Sequence, residues 1–228
     1  MTGHDLKRAR VAKNWTQEDA AGHLGVSQCY LSFLETGRRV VPDKMAHRFL
    51  LEYEMPATVL PLPSPESSDL GASVEWARCL GALGYPGFSY LKAQPDKNPA
   101  ELLVDALMQP DLDSRVAKGL PWLVFKYTNM NWDWLVKSAK LHDLQNRLGF
   151  TVTLARQALE KLRDNEGVPA LVHCEALLEQ SRLAREDTFC HNSLTETEKR
   201  WLRDKRSPDA KHWNLLTDLT AEQLTYAV

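Results

Sequence analysis

Two His–Cys neighbours, His173-Cys174 and Cys190-His191, are the residue types in this chain that could hold a metal. Zinc asks for ligands at short helical or knuckle spacing, and adjacent residues on a helix point in different directions. Each pair therefore reads better without a metal: Cys174 as a core residue, His191 as a cap or a solvent-facing side chain. Asp111, Asp113, Asp133 and Asp143 form no paired-carboxylate motif, and there is no glycine-rich phosphate loop and no GxSxG elbow. No catalytic residue, metal ligand or cofactor is assigned. The chemical set that remains lies between Gln17 and Arg39. Its amides, hydroxyls, thiol and guanidinium groups make hydrogen bonds rather than break covalent ones.

The elements that must carry this set are short helices. Residues 4–14 suit a first helix, with Leu6, Ala9 and Val11 apolar and Lys7, Arg8, Arg10 and Lys13 basic. Thr16 is a good N-cap for a second helix over Gln17 to Leu24, whose inward side is Ala20, Ala21 and Leu24. Gly25 supplies the left-handed cap, Val26 plugs the turn into the core, and Ser27 caps a third helix over Gln28 to Glu35. Leu31 and Leu34 turn inward, which leaves Gln28, Cys29, Ser32 and Phe33 on the outer side. Arg38 and Arg39 follow at once, and Pro42-Asp43 opens another helix that closes a five-helix core ending near Tyr53. Two short helices joined by a tight turn, the second with a polar outer face, make the pattern of a helix-turn-helix DNA reader. The same apolar spacing could also be plain core or a protein-binding hairpin.

Residues 4–55 resemble the Cro/C1-type (Xre-like) helix-turn-helix family of phage repressors and bacterial regulators. Arg10, Gln17, Ala21, Gly25, Val26, Ser27, Leu31, Leu34, Glu35 and Gly37 carry the resemblance. It implies that Gln28, Cys29, Ser32 and Phe33 lie where bases are read, with adenine the natural partner of the Gln28 amide. It implies phosphate contacts for Gln17, Ser27, Arg38 and Arg39, and an internal ion pair between Arg10 and Glu35. Gln17 would also brace Gln28. Phe33 occupies a position that is often polar, and Tyr30 is larger than the usual residue. Phe33 could touch a thymine methyl or pack on a neighbouring helix.

The 228-residue chain has room for a second domain. Its composition, 43% hydrophobic and 25% charged, is that of an ordinary globular protein, and its net charge of -2 does not advertise nucleic acid. A DNA-binding role must rest on where the charges sit. No apolar run approaches the roughly 20 residues that a membrane span needs, so the cytoplasm is expected. The four cysteines are scattered, without a disulfide framework. Residues 56–70 are rich in proline and serine and read as an extended linker.

Residues 71–228 read as one larger, mainly helical domain for dimerisation or effector binding, making the chain all-α. Helical spacing runs over Ser73 to Leu83, and Pro99 opens a helix. Pro121 reads as a break or a new start. Trp132 to Leu148 reads as one helix stopped by Gly149, with Thr151 to Leu162 next. Asp143 and Arg147, four apart, read as a surface ion pair. Tyr85 to Leu91 is a weak strand candidate. Trp122, Trp132 and Trp134 read mostly as core, and the helices around them could support a dimer. The resemblance implies a dimeric transcriptional regulator, a repressor of its own or an adjacent operon, acting on a palindromic operator in double-stranded DNA. Alternatives are an antitoxin or controller whose C-terminal domain binds a partner protein, a ligand-sensing regulator, and a scaffold that no longer reads DNA.

Overall fold

The computed structural model describes residues 1–66, 75–163 and 166–224. The chain divides into two units, one of Met1–Leu62 with Pro95–Asn98, the other of Pro63–Gln94 with Pro99–Val228. The all-α expectation holds. Among the described residues, twelve α-helices are joined by short 3-10 turns, and the only strands are a pair of two-residue segments.

In the first unit, α1 (Gly3–Ala12), α2 (Gln17–Leu24), α3 (Gln28–Glu35) and α4 (Asp43–Tyr53) are followed by a 3-10 turn, Ala57–Val59, giving five helical segments. Local chemistry sets the boundaries. Thr2 with Asp5, and Thr16 with Asp19, form reciprocal capping boxes at the starts of α1 and α2. Gly25 ends α2 at φ +57, and a Cβ there would run into the Arg48 guanidinium. Leu6, Ala20, Ala21, Leu24, Leu31, Leu34, Val41, Phe49 and Tyr53 are buried together as the core. The α1 N-terminus packs close to the end of α3, since a Cβ on Gly3 would strike the Leu34 carbonyl.

The proline-rich stretch is held rather than free where it is described. Ala57 and Leu60 are buried. The Asn98 amide donates to the Thr58 and Leu60 carbonyls at 3.0 and 2.7 Å. In the second unit, the Trp134 indole N–H donates to the Pro63 carbonyl at 2.9 Å, and His142 Nε2 donates to the Pro65 carbonyl at 3.0 Å. The rest of the expected linker, and Ser73 and Val74 of the expected helix, lie outside the described residues.

The second unit contains α5 (Trp76–Ala82), α6 (Pro99–Met108), α7 (Ser114–Lys126), α8 (Trp132–Leu141), α9 (Gln145–Leu162), α10 (Val168–Glu179), α11 (Glu196–Lys205) and α12 (Pro208–His212). Strand β1 (Asp187–Thr188) pairs in parallel with β2 (Leu215–Leu216). The core is built around α9, which packs on α7 and α10 and is buried continuously from Gln145 to Ala155. That stretch is core on all sides, whereas Glu160, Lys161 and Leu162 at the end of the helix are exposed.

Four local expectations are corrected. The helix from Trp132 ends at Leu141 because Asp143 adopts φ +56, and α9 then runs unbroken through Gly149. Gly149 is where the Trp213 ring lies against the α9 backbone, and a Cβ would occupy the ring's space. Asp143 and Arg147 therefore do not share a helix face. Arg147 is 6% exposed and pairs instead with Asp187, Nε to Oδ2 at 2.9 Å, while Nη1 donates to the Leu107 carbonyl at 2.7 Å. Pro121 lies buried inside α7 without ending it. Within Tyr85 to Leu91, Pro86–Phe88 is a 3-10 turn and no strand forms. Trp122 is buried, whereas Trp132 and Trp134 are half-buried, each with its indole N–H bonded to a backbone carbonyl.

Candidate nucleic-acid interface

The outer face of α3 begins at Ser27, whose hydroxyl accepts from the Tyr30 amide at 3.2 Å and so is occupied as the helix cap. Gln28 and Cys29 are exposed in the first turn, and Ser32 and Phe33 are half-buried one turn on. Gln17 starts α2, where Thr16 sets the helix entry and the free backbone N–H groups of the first turn point outward.

These side chains are joined by a chain of directed bonds. Glu35 is buried, at 8% exposed. It accepts from Arg10 Nε at 2.6 Å and from Arg10 Nη2 at 3.0 Å, and Arg10 Nη1 also donates to the Trp15 carbonyl at 2.9 Å. The bond to Glu35 is the leading cause that raises the Arg10 pKa. Glu35 also accepts from Gln17 Nε2 at 2.9 Å, and Gln17 Oε1 accepts from Gln28 Nε2 at 2.8 Å.

The direction of each bond follows from the first. A carboxylate offers only acceptors, so Gln17 must turn its NH2 toward Glu35 and its oxygen toward Gln28. Gln28 must then turn its own NH2 toward Gln17. Its Oε1 and second N–H are left available on the exposed side, an adjacent acceptor and donor with fixed polarity. The pairing of Arg10 with Glu35 is thus more than a tie between α1 and α3, because it sets the amide orientation at the tip of the exposed helix.

Arg38 and Arg39 are exposed just beyond α3, and among the described residues neither has a carboxylate partner. Arg38 Cζ lies 6.0 Å from the Phe33 ring centroid, and Arg39 Cζ lies 5.6 Å from that of Tyr30. Sequence reasoning missed these contacts, since the spacings cross the helix end and match no helical period. It also missed the stack of Trp15 on His23, at 4.2 Å between centroids, which covers the α1–α2 corner.

The remaining chemical candidates do not converge. Cys174 and Cys190 are buried, and burial pushes each thiol up to about 12, while His173 and His191 are exposed. Among the described residues, no group of three or more His, Cys, Asp or Glu is arranged to hold a metal, and no helix is long and apolar enough to cross a membrane.

Residues 3–58 match the family described as a helix-turn-helix domain, which is of Cro/C1 type, and the match covers this N-terminal segment only. Searches against curated proteins and against solved structures gave no match. The first unit therefore carries the domain of a DNA-binding regulator.

Proposed function

We propose that this protein is a sequence-specific transcriptional repressor that binds a palindromic operator as a homodimer. The observation that carries the reading is the Arg10–Glu35–Gln17–Gln28 chain. It presents one amide of set polarity at the exposed start of α3, and an oxygen beside an N–H matches the N6 donor and N7 acceptor of adenine in the major groove. In this reading Cys29 and Ser32 meet neighbouring base edges. Gln17, the capped α3 N-terminus at Ser27, and Arg38 with Arg39 contact phosphates, which position the domain without specifying sequence.

Dimerisation follows from affinity. One recognition helix reads only a few base pairs, and two half-sites about one helical turn apart give useful binding. The first unit carries eight basic against seven acidic side chains over residues 1–55, so attraction to DNA depends on the few unpaired cations at this face.

The test is selection of binding sites from random duplexes, followed by footprinting at stated salt. The reading requires a recovered consensus with two-fold symmetry and protection of two half-sites. Recovery of no consensus would refute specific readout, and a single unpaired half-site bound by a monomer would refute the dimer.

A further inference from the structure

Phe33 and Tyr30 are left over by this account, one at a position expected to read bases and the other larger than the family's usual residue. We infer that both are positioning residues for the DNA backbone: they hold Arg38 and Arg39 as a preformed phosphate clamp beside α3, and Phe33 does not read a base. The inference rests on the DNA-binding reading above.

Three observations converge on it. First, the backbone that carries the arginines is pinned. The Thr36 hydroxyl donates to the Ser32 carbonyl at 2.7 Å, Gly37 turns the chain at φ +71, and the Arg39 amide donates to the Phe33 carbonyl at 3.1 Å. Only the side-chain torsions of Arg38 and Arg39 remain to be restricted, and the two rings lie where they restrict them. Second, the rings are themselves held. Tyr30 packs against the core and its hydroxyl meets Met45 Sδ at 4.0 Å, while Phe33 is half-buried. Third, the charge on these two arginines is not spent inside the protein. In the same unit Arg8 pairs with Asp5 and Arg10 with Glu35, whereas Arg38 and Arg39 rest on π-faces. A π-face attracts a guanidinium while leaving its in-plane N–H donors free, and those donors match a phosphate. A ring that already carries Arg38 on its face offers that face to no base.

The experiment is a double-mutant cycle in the full-length protein. It is read by fluorescence anisotropy on a duplex selected by the wild-type protein and on a scrambled duplex of the same length. Phe33→Leu keeps an apolar side chain and removes the π-face. It is expected to weaken binding to both duplexes, by roughly two- to fivefold, as an exposed cation–π contact would. In an Arg38→Ala background the same substitution is expected to add nothing. Tyr30→Leu, which removes the π-face under Arg39, is expected to weaken both duplexes by a similar factor, and circular dichroism melts of each variant exclude loss of folding as the explanation.

Deoxyuridine in place of thymine gives the opposing reading its chance. If Phe33 reads a thymine methyl, removing that methyl weakens the wild type and leaves Phe33→Leu unaffected. That result, or a Phe33→Leu penalty of the same size without Arg38, would overturn the inference while leaving DNA binding intact. A wild-type protein that binds neither duplex would overturn both readings.

Discussion

Glu35→Gln perturbs the one residue on which the order of the α3 face depends. Glu35 accepts three hydrogen bonds, two from Arg10 and one from Gln17, with its side chain 2% exposed. A glutamine of the same shape keeps one acceptor oxygen and turns an NH2 either toward Arg10 Nε or toward Arg10 Nη2 and Gln17 Nε2 together. At least one bond becomes donor against donor. Bonds to charged groups contribute roughly 1.5–3 kcal/mol each, and removing one partner of a buried ion pair costs roughly 3–5 kcal/mol.

The Arg10 side chain is 13% exposed and keeps its bond to the Trp15 carbonyl, so the lower part of that range applies, about 3 kcal/mol. Urea unfolding with hydrogen exchange resolved over α1 to α3 would measure it. The loss should appear as a lower midpoint with an unchanged slope. A second consequence concerns binding. With Gln17 free to flip, Gln28 loses its fixed polarity, and the folded variant should discriminate poorly at the base facing Gln28. Wild-type stability together with wild-type discrimination would refute the reasoning.

Three further outcomes are expected. Arg147→Met should cost about 3–5 kcal/mol, since it leaves Asp187 only the Thr188 amide and strips a donor from two backbone carbonyls, whereas Asp143→Asn, which tolerates the same positive φ, should stay within about 0.5 kcal/mol; chemical denaturation of the two variants compares them directly. Gly149→Ala should destabilise by roughly 1–3 kcal/mol because its Cβ needs the space of the Trp213 ring, with quenched or shifted tryptophan emission marking the displacement. The bond from the Thr16 hydroxyl holds the Asp19 carboxyl below its ordinary value, and the bond from Thr195 does the same for Glu198. Their contribution to stability is therefore present above the ordinary carboxylate range and lost as pH falls through the lowered values, and a pH series of thermal melts on Thr16→Val should show a flatter acid limb.

What could be read from the sequence follows how local the physics is. The bounds of α2 and α3 rest on Thr16, Gly25 and Ser27, each acting on its own few neighbours, and those bounds were legible. Asp143 stops α8 without a glycine or proline to announce it. Gly149 looked like a helix end, but its reason lies in Trp213, far along the chain. Arg147 had an acidic neighbour at helical spacing, yet its partner is Asp187, brought there only by the packing of α9. At the α3 face, the resemblance supplied residue positions. The direction of the Gln17 and Gln28 amides, and the resting of the arginines on Phe33 and Tyr30, depend on three-dimensional geometry that spacing does not encode.

The most direct measurement is the affinity of wild type, Gln28→Ala and Arg38→Ala on the selected operator and on a set of single-base variants, each across a salt series. The account predicts that Gln28→Ala levels the affinities at one position, by about 1–3 kcal/mol of lost discrimination. It predicts that Arg38→Ala weakens every duplex alike and lowers the salt dependence by about one counterion. Equal losses on every variant in both mutants, with the same salt slope, would contradict it.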